Sequence, residues 1–428
     1  MKKLNLAMLS GDIPNSPENQ VIVASDTPFE ETGEVFNQLH VAMTDLEHID
    51  EVISQAVDVS DELMDEQAAI DQAQQEGVSQ VTLESLQRNV NSLLKQVGIE
   101  ERVNFSALAL NNKRYNKIAL ESAGADVLAF LKRIWDAIKA AISKTMDIVK
   151  DVFKKYFDAS IKIKKNCEII KVKAISLKGK THRGTERVGG AHIAKYLRFN
   201  NRAIEPRQLI GNYDRWTSHN YDFAASIAGK TALDEYRAWL EKLSDYFSGI
   251  SMSTTLNEIK RETDAFGDLM IERIVSNFQF HRNGEHTTVP FIGDVVFKFD
   301  ESNLSFSIES IEKLKDLGSQ NTHVPLDTSE VVIMCDKLIQ HMKYYDQINT
   351  YFDQLDSFSK MTTEIANGAI ANKAGLNAAQ RKAISLASSF IVRIFVDAIR
   401  KVGVGAREYD MQVSSAIVQW CAVSVNTL

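Results

Sequence analysis

The feature that most constrains this chain is a long run without helix breakers. Between Gly124 and Gly179 there is neither Gly nor Pro. Within it, Leu128, Leu131, Trp135, Ile138, Ile142, Val149, Val152 and Tyr156 fall on a near-heptad stripe, with Thr145 and Met146 at its one weak place. Val127, Ile134, Ile148, Phe153 and Phe157 widen the stripe. Lysines and aspartates, from Lys132 and Asp136 to Lys154 and Lys155, take the other side. Apolar residues at three- and four-residue steps specify an amphipathic helix. The pattern predicts a helix over 125–158, about 50 Å long at 1.5 Å per residue. Beyond it, Ile161-Lys-Ile-Lys-Lys165 and Ile170-Lys-Val-Lys-Ala174 alternate, which suits a strand pair or a continued helix equally.

The flanking sequence is helical in the same style. Val35, Leu39, Met43, Leu46, Ile49 and Val52 or Ile53 recur at helical steps, and a further helix opens near Thr82 and closes near Gly98. The stretch Asp61 to Gln75 is polar almost all round, so it packs weakly or needs a partner. Residues 205–278, 328–365, 376–402 and 404–423 also read as helices, with Leu233, Tyr236, Leu240, Leu243 and Phe247 on one face. Residues 287–308 are β-rich around an Asp300–Asn303 turn, which predicts a small hairpin or a three-stranded insert. Only 20 Gly and 6 Pro in 428 residues argue against a many-stranded sandwich. The fold class is therefore mainly α. An elongated helical segment and a long amphipathic helix precede a helical domain at 201–428, with its β insert near 287–308.

Charge divides the chain further. Residues 1–121 carry a net charge of -13, residues 122–200 of +11 and residues 201–428 of -6. The first 33 residues hold Pro14, Pro17 and Pro28 and lack helical periodicity, so they read as a disordered arm. Met1-Lys2-Lys3-Leu4 has the charge of a signal peptide, but its apolar stretch is broken by Asn5 and Ser10-Gly11-Asp12, which excludes secretion. Residues 34–121 form an acidic helical segment, and 122–200 a basic amphipathic segment ending in a loop. In that loop Lys178, Lys180, Arg183 and Arg187 lie among four glycines, with Lys195 just beyond. Such side chains can reach nucleic-acid phosphates. A second reading places the 125–158 helix on a membrane surface, with Phe130, Trp135, Phe153 and Phe157 opposing the lysines. Mean hydropathy is -0.20. With no apolar run of 18 residues, a spanning helix is excluded.

Motifs for chemistry are weak. Ala224-Ala-Ser-Ile-Ala-Gly229-Lys230-Thr231 fits a loose phosphate-loop pattern, and Val331–Asp336 a companion acidic strand. A phosphate loop needs a strand before it, and Tyr213–Phe223 is not one. Gly229-Lys-Thr231 reads instead as a helix end followed by a Thr cap for the helix at 232. His281 and His286 flank a turn, and no histidine spacing suits a metal. No nucleophile elbow occurs. Cys167, Cys335 and Cys421 are odd in number and distant in sequence, so they are not a disulfide framework. Neither an enzyme, a cofactor nor a metal site is expected.

The order of parts carries a resemblance. An acidic N-terminal piece leads to Lys117-Ile-Ala119-Leu120-Glu121-Ser122, then to a basic helix beginning Ala125-Asp-Val-Leu-Ala-Phe-Leu-Lys-Arg-Ile-Trp135. This resembles the internal head proteins of giant phiKZ-like tailed bacteriophages. The resemblance implies assembly in the host cytoplasm and an N-terminal propiece. The prohead protease removes such a propiece after a Ser/Ala/Gly-x-Glu triplet. It also implies a mature protein inside the capsid with other head proteins and the phage DNA, entering the host in some members. Ala119-Leu120-Glu121 matches the triplet, with the cut before Ser122. Ser16-Pro-Glu18, Ser60-Asp-Glu62 and Gly98-Ile-Glu100 match it too, but Glu121 alone among these sits where the charge changes sign. Residues 122–428 carry +5, so the acidic piece is expected to neutralise the basic segment and to compete with DNA for it.

Overall fold

The computed structural model describes residues 30–428 apart from 77–78, 105–112, 183–187, 189–190, 200–201, 252, 278–280, 284–285, 294, 301–304, 311–322, 371–375 and 397–401. The N-terminal half is built from α1 (Glu30–Glu76), α2 (Gln80–Gln96), α3 (Lys113–Ser176) and the short α4 (Ala191–Tyr196). A two-residue pair, β1 (Arg198–Phe199) and β2 (Arg202–Ala203), leads into α5 (Pro206–Ala228), α6 (Lys230–Gly249) and α7 (Leu256–Asn277). Strands β3 (His281–Asn283), β4 (His286–Phe291), β5 (Val295–Asp300) and β6 (Ser305–Ser310) follow. Then come α8 (Thr328–His341), a 3-10 turn at Met342–Gln347, α9 (Ile348–Ile370), α10 (Ala378–Ile394) and α11 (Val402–Asn426). The fold is mainly α.

Helix α3 is the axis. Its 64 residues span about 95 Å. It starts before the predicted helix and absorbs the alternating segment after it. The helical reading wins there because it buries Ile163, Cys167, Ile170 and Ala174 together. The other alternating residues, Ile161, Ile169, Val172 and Ile175, stay exposed. The main stripe is buried from Leu131 through Tyr156, including Thr145 and Met146, while Leu128 and Ile148 at its edge are half-buried. Four helices cover it: α1, α8, α9 and α11 all pack along α3. Tyr156 Oη donates to Val404 O at 3.0 Å, and Phe153 meets Phe352 edge-on at 6.2 Å.

Local signals place the helix ends. Asp327 and Glu330 form a reciprocal capping box on α8, and Asn377 and Gln380 do so on α10. Gln380 Nε2 also donates to Ser251 O and Thr254 O, tying α10 to the link between α6 and α7. Ser79 caps α2, three residues ahead of the Thr82 start expected from sequence. Ala224–Ala228 lies inside α5, with no strand leading into it. Gly229 itself is the N-cap of α6, with extended backbone, so Thr231 is not the cap. Helix α1 begins at Glu30, inside the segment expected to be an arm; residues 1–29 lie outside the described residues.

The β insert is larger than a hairpin or three strands. Four antiparallel strands run in the order β3-β4-β5-β6, with Thr288 opposite Lys298 and Phe297 opposite Ile308. The turn between β4 and β5 attaches it to the helices. Gly293 has φ +91°, its N–H donates to Arg198 O at 2.9 Å, and Tyr409 Oη donates to Ile292 O. A Cβ at Gly293 would overlap the Tyr409 hydroxyl.

The segment Asp61–Gln75 finds its partner in α10. Arg393 Nη2 bonds Asp58 Oδ1 at 2.7 Å and Asp61 Oδ2 at 3.0 Å. Ser389 Oγ donates to Asp61 Oδ1 at 2.6 Å, Arg381 Nη2 bonds Asp71 Oδ2 at 2.5 Å, and Lys382 pairs with Asp65. Burial raises the Asp61 carboxyl to about 6, against the hydrogen bond from Ser389 and the charge of Arg393.

Two polar groups in the core give testable consequences. Asp410 accepts a hydrogen bond from Tyr345 Oη at 2.7 Å and lies 2.7 Å from His341 Nε2, all three being buried. Replacing Asp410 with Ala strands both partners, so Asp410→Ala should cost about 3 kcal/mol, read as a lower denaturant midpoint at unchanged slope. Glu408 is the opposite case. Burial, helped by the charge of Glu47 and opposed by Lys195, pushes its carboxyl up to about 7. Between the ordinary 4.5 and 7 the folded chain therefore holds a proton that the unfolded chain has lost. Stability falls as pH rises through that window. Glu408→Gln should raise stability at pH 8 by up to about 3 kcal/mol and give no gain near pH 4; thermal melts at the two pH values check this.

Candidate processing site and basic surface

Ala119, Leu120, Glu121 and Ser122 all lie within α3, across its second and third turns. The side chain of Ala119 lies outside the described residues. Leu120 is buried, and its carbonyl accepts a hydrogen bond from Gln74 Nε2 of α1 at 2.9 Å. Glu121 and Ser122 face solvent. Ala123 and Gly124 turn back toward α1, where a Cβ on Gly124 would lie 3.2 Å from Gln67 Nε2 and 3.3 Å from Gln74 Nε2. Gly124 thus lets two helices approach closely rather than breaking one. The Glu121–Ser122 bond is exposed but helical, so a protease that binds extended substrate must first unwind the start of α3.

The rival triplets differ in backbone. Ser60 is wholly buried and Asp61 is tied to α10, which closes Ser60-Asp61-Glu62. Gly98-Ile99-Glu100 follows α2 in non-helical backbone, with Gly98 at φ +76° and Glu100 exposed. Ile99 is buried, and the Asn91 side chain brackets Val103 with two hydrogen bonds, 3.0 Å to its carbonyl and 2.8 Å from its N–H. Ser16-Pro-Glu18 lies outside the described residues.

The basic surface is smaller than the charge count implies. Lys164 pairs with Asp346 at 2.7 Å and Lys171 with Asp336 at 2.6 Å, both across helices. Lys139 and Lys155 pair within α3. Lys164 and Lys171 fasten elements of the bundle together, whereas the Lys139 and Lys155 pairs stay within one helix. Lys178 and Lys180 are exposed in the turn that ends α3, where Gly179 has φ +91°. Lys195 is exposed on α4, its Nζ 4.9 Å from the Tyr196 ring centre. Arg183 and Arg187 lie outside the described residues. The loop is anchored at both sides: His182 Nε2 lies 2.9 Å from Leu326 O, and Val188 and His323 exchange two backbone hydrogen bonds. Among the described residues the ion pairs of α1 run to α10 and not to this loop. Arg133 of the basic segment pairs with Glu101 of the acidic piece.

The membrane reading loses its apolar face. Phe130, Trp135 and Phe153 are buried in the bundle, and no helix among the described residues is long and apolar enough to cross a membrane. No group of His, Cys, Asp or Glu among the described residues is arranged to hold a metal. Two polar clusters have no signature in the sequence. Partners 65 and 69 residues apart form the Asp410 network. The three free cysteines, one each on α3, α8 and α11, are buried and neighbour one another in the core. The neighbouring Cys335 and burial push the Cys421 thiol well up, so it stays protonated.

No curated protein and no solved structure matches the chain. The sequence profile of the phiKZ-like phage internal head proteins matches residues 34–403, which takes in the acidic helices, the axis and most of the remaining bundle. The chain therefore belongs to the phiKZ-like phage internal head proteins, virion components held in the capsid interior with other parts of the head.

Proposed function

We propose that the chain is a non-enzymatic head component, packaged as a precursor and cut by the prohead protease between Glu121 and Ser122. In the capsid it lies against phage DNA through Lys178, Lys180, Arg183, Arg187 and Lys195, and it is ejected with that DNA. The observation that carries the reading is the charge reversal at an exposed Glu–Ser pair, in a chain of the internal head family. A cut there leaves Ser122 at the head of the helix, a residue type that caps helix starts well. It also leaves the apolar stripe of α3 whole.

The helical setting of the bond makes processing conditional on local opening. Denaturing mass spectrometry of mature particles should find a chain starting at Ser122. A chain starting at Glu101 would move the cut to the Gly98 triplet, and a full-length chain would end the proposal. Glu121→Gln should block the cut with helix content unchanged. Gln74→Ala removes the bond that holds Leu120 O and should speed cutting about fivefold where opening limits the rate.

DNA association is expected to be weak and indifferent to sequence. Each phosphate neutralised releases counterions, so affinity should fall steeply between low and moderate salt. The double variant Lys178→Glu with Lys180→Glu should bind more weakly and with a shallower salt slope. Equal affinity and slope in wild type and variant would remove the loop from the proposal.

A further inference from the structure

We infer that the cut does not release the acidic piece: α1 and α2 stay docked on α3 and α10, and the mature head holds a nicked, two-chain protein. This rests on the processing proposed above, and it holds for a cut at either Glu121 or Glu100.

The acidic piece is not a tail resting on a finished domain. Leu39, Leu46, Ile53, Ala56, Leu63 and Ile70 of α1 are each at most 1% exposed. Helix α1 runs antiparallel to α3, with Ile70 and Gln74 level with Gly124 and Leu120. It packs along α3 over a long seam and along α10 over a second one. The α10 seam is charge-matched. Asp58, Asp61, Asp65 and Asp71 meet Arg393, Ser389, Lys382 and Arg381 in antiparallel order, over about 20 Å of α1. Helix α2 is held to α1 in turn, with Asn89 Nδ2 donating to Glu66 Oε1 at 2.9 Å.

A single peptide cut between α2 and the stripe of α3 removes none of these contacts. What remains is an interface of the obligate kind, apolar and core-like, in which each side resembles half of a domain. Loss of α1 would bare the stripe of α3 to water, an apolar surface far larger than soluble monomers expose. Docking also protects the piece. The Ser60-Asp61-Glu62 triplet lies inside the seam, with Ser60 buried, so the same protease does not reach it.

The test uses mature particles dissolved without denaturant. Size-exclusion chromatography is followed by denaturing mass spectrometry of the peak. Two masses, one ending at Glu121 and one starting at Ser122, or one ending at Glu100 and one starting at Glu101, are expected in a single peak. A peak containing the larger piece alone overturns retention and leaves processing intact. A full-length mass overturns processing and retention together. The seam is then tested by charge reversal in the full chain. Asp71→Arg should lower the share of co-eluting fragment about fivefold, and Asp71→Arg with Arg381→Asp should restore it. Failure of the swap to restore it counts against the seam as the holding contact.

Discussion

The structure depends on how the apolar stripe of α3 is hidden. Its band is too wide for one neighbour: Val127, Leu131, Ile134, Trp135 and Ile138 are buried side by side. Four helices are needed, and their places follow from the rod. Helix α1 takes the N-terminal part, where Gly124 allows close approach. Helix α9 meets Phe153 through Phe352. Helices α8 and α11 take the far end, fastened by Lys171 to Asp336 and by Lys173 to Asn426. Most of the remaining helices cover the outer faces of these four, and α7 packs on α5, α6 and α10.

Much of this was legible in the chain itself. The absence of Gly and Pro over 125–178 announced the rod, and periodicity found most helices and the β-rich insert. Three kinds of feature were not legible. Local alternation at 161–174 has no preferred period, and only burial of Ile163, Cys167 and Ile170 in one stripe decides it. A polar segment such as Asp61–Gln75 declares that it needs a partner but not which one; Arg381 and Arg393 lie more than 300 residues away. Charge totals also count lysines without regard to where they point. Lys164 and Lys171 add to the +11 of their segment, yet both are used to join helices. For the candidate site, the triplet at Glu121 was readable, whereas its helical backbone and the grip of Gln74 were not.

Family membership and fold now constrain each other. The profile match begins at residue 34 and includes the acidic helices, and the bundle shows why they travel with the rest. They are the wall of its core.

The seam between α1 and α10 also differs from the surface ion pairs in how it meets its surroundings. Asp61 and Asp71 are each only 16% exposed, whereas Arg133 and Glu101 are 52% and 59% exposed. At physiological ionic strength the Debye length is about 8 Å, which screens exposed pairs and reaches half-buried ones much less. A head filled with nucleic acid is filled equally with its counterions. In that medium the Arg133–Glu101 pair fades, as do those of Asp58 and Asp65 at the edge of the seam, 59% and 57% exposed, while Asp61 and Asp71 keep their partners. The molecule thus carries two electrostatic systems of different depth, and ionic strength separates them.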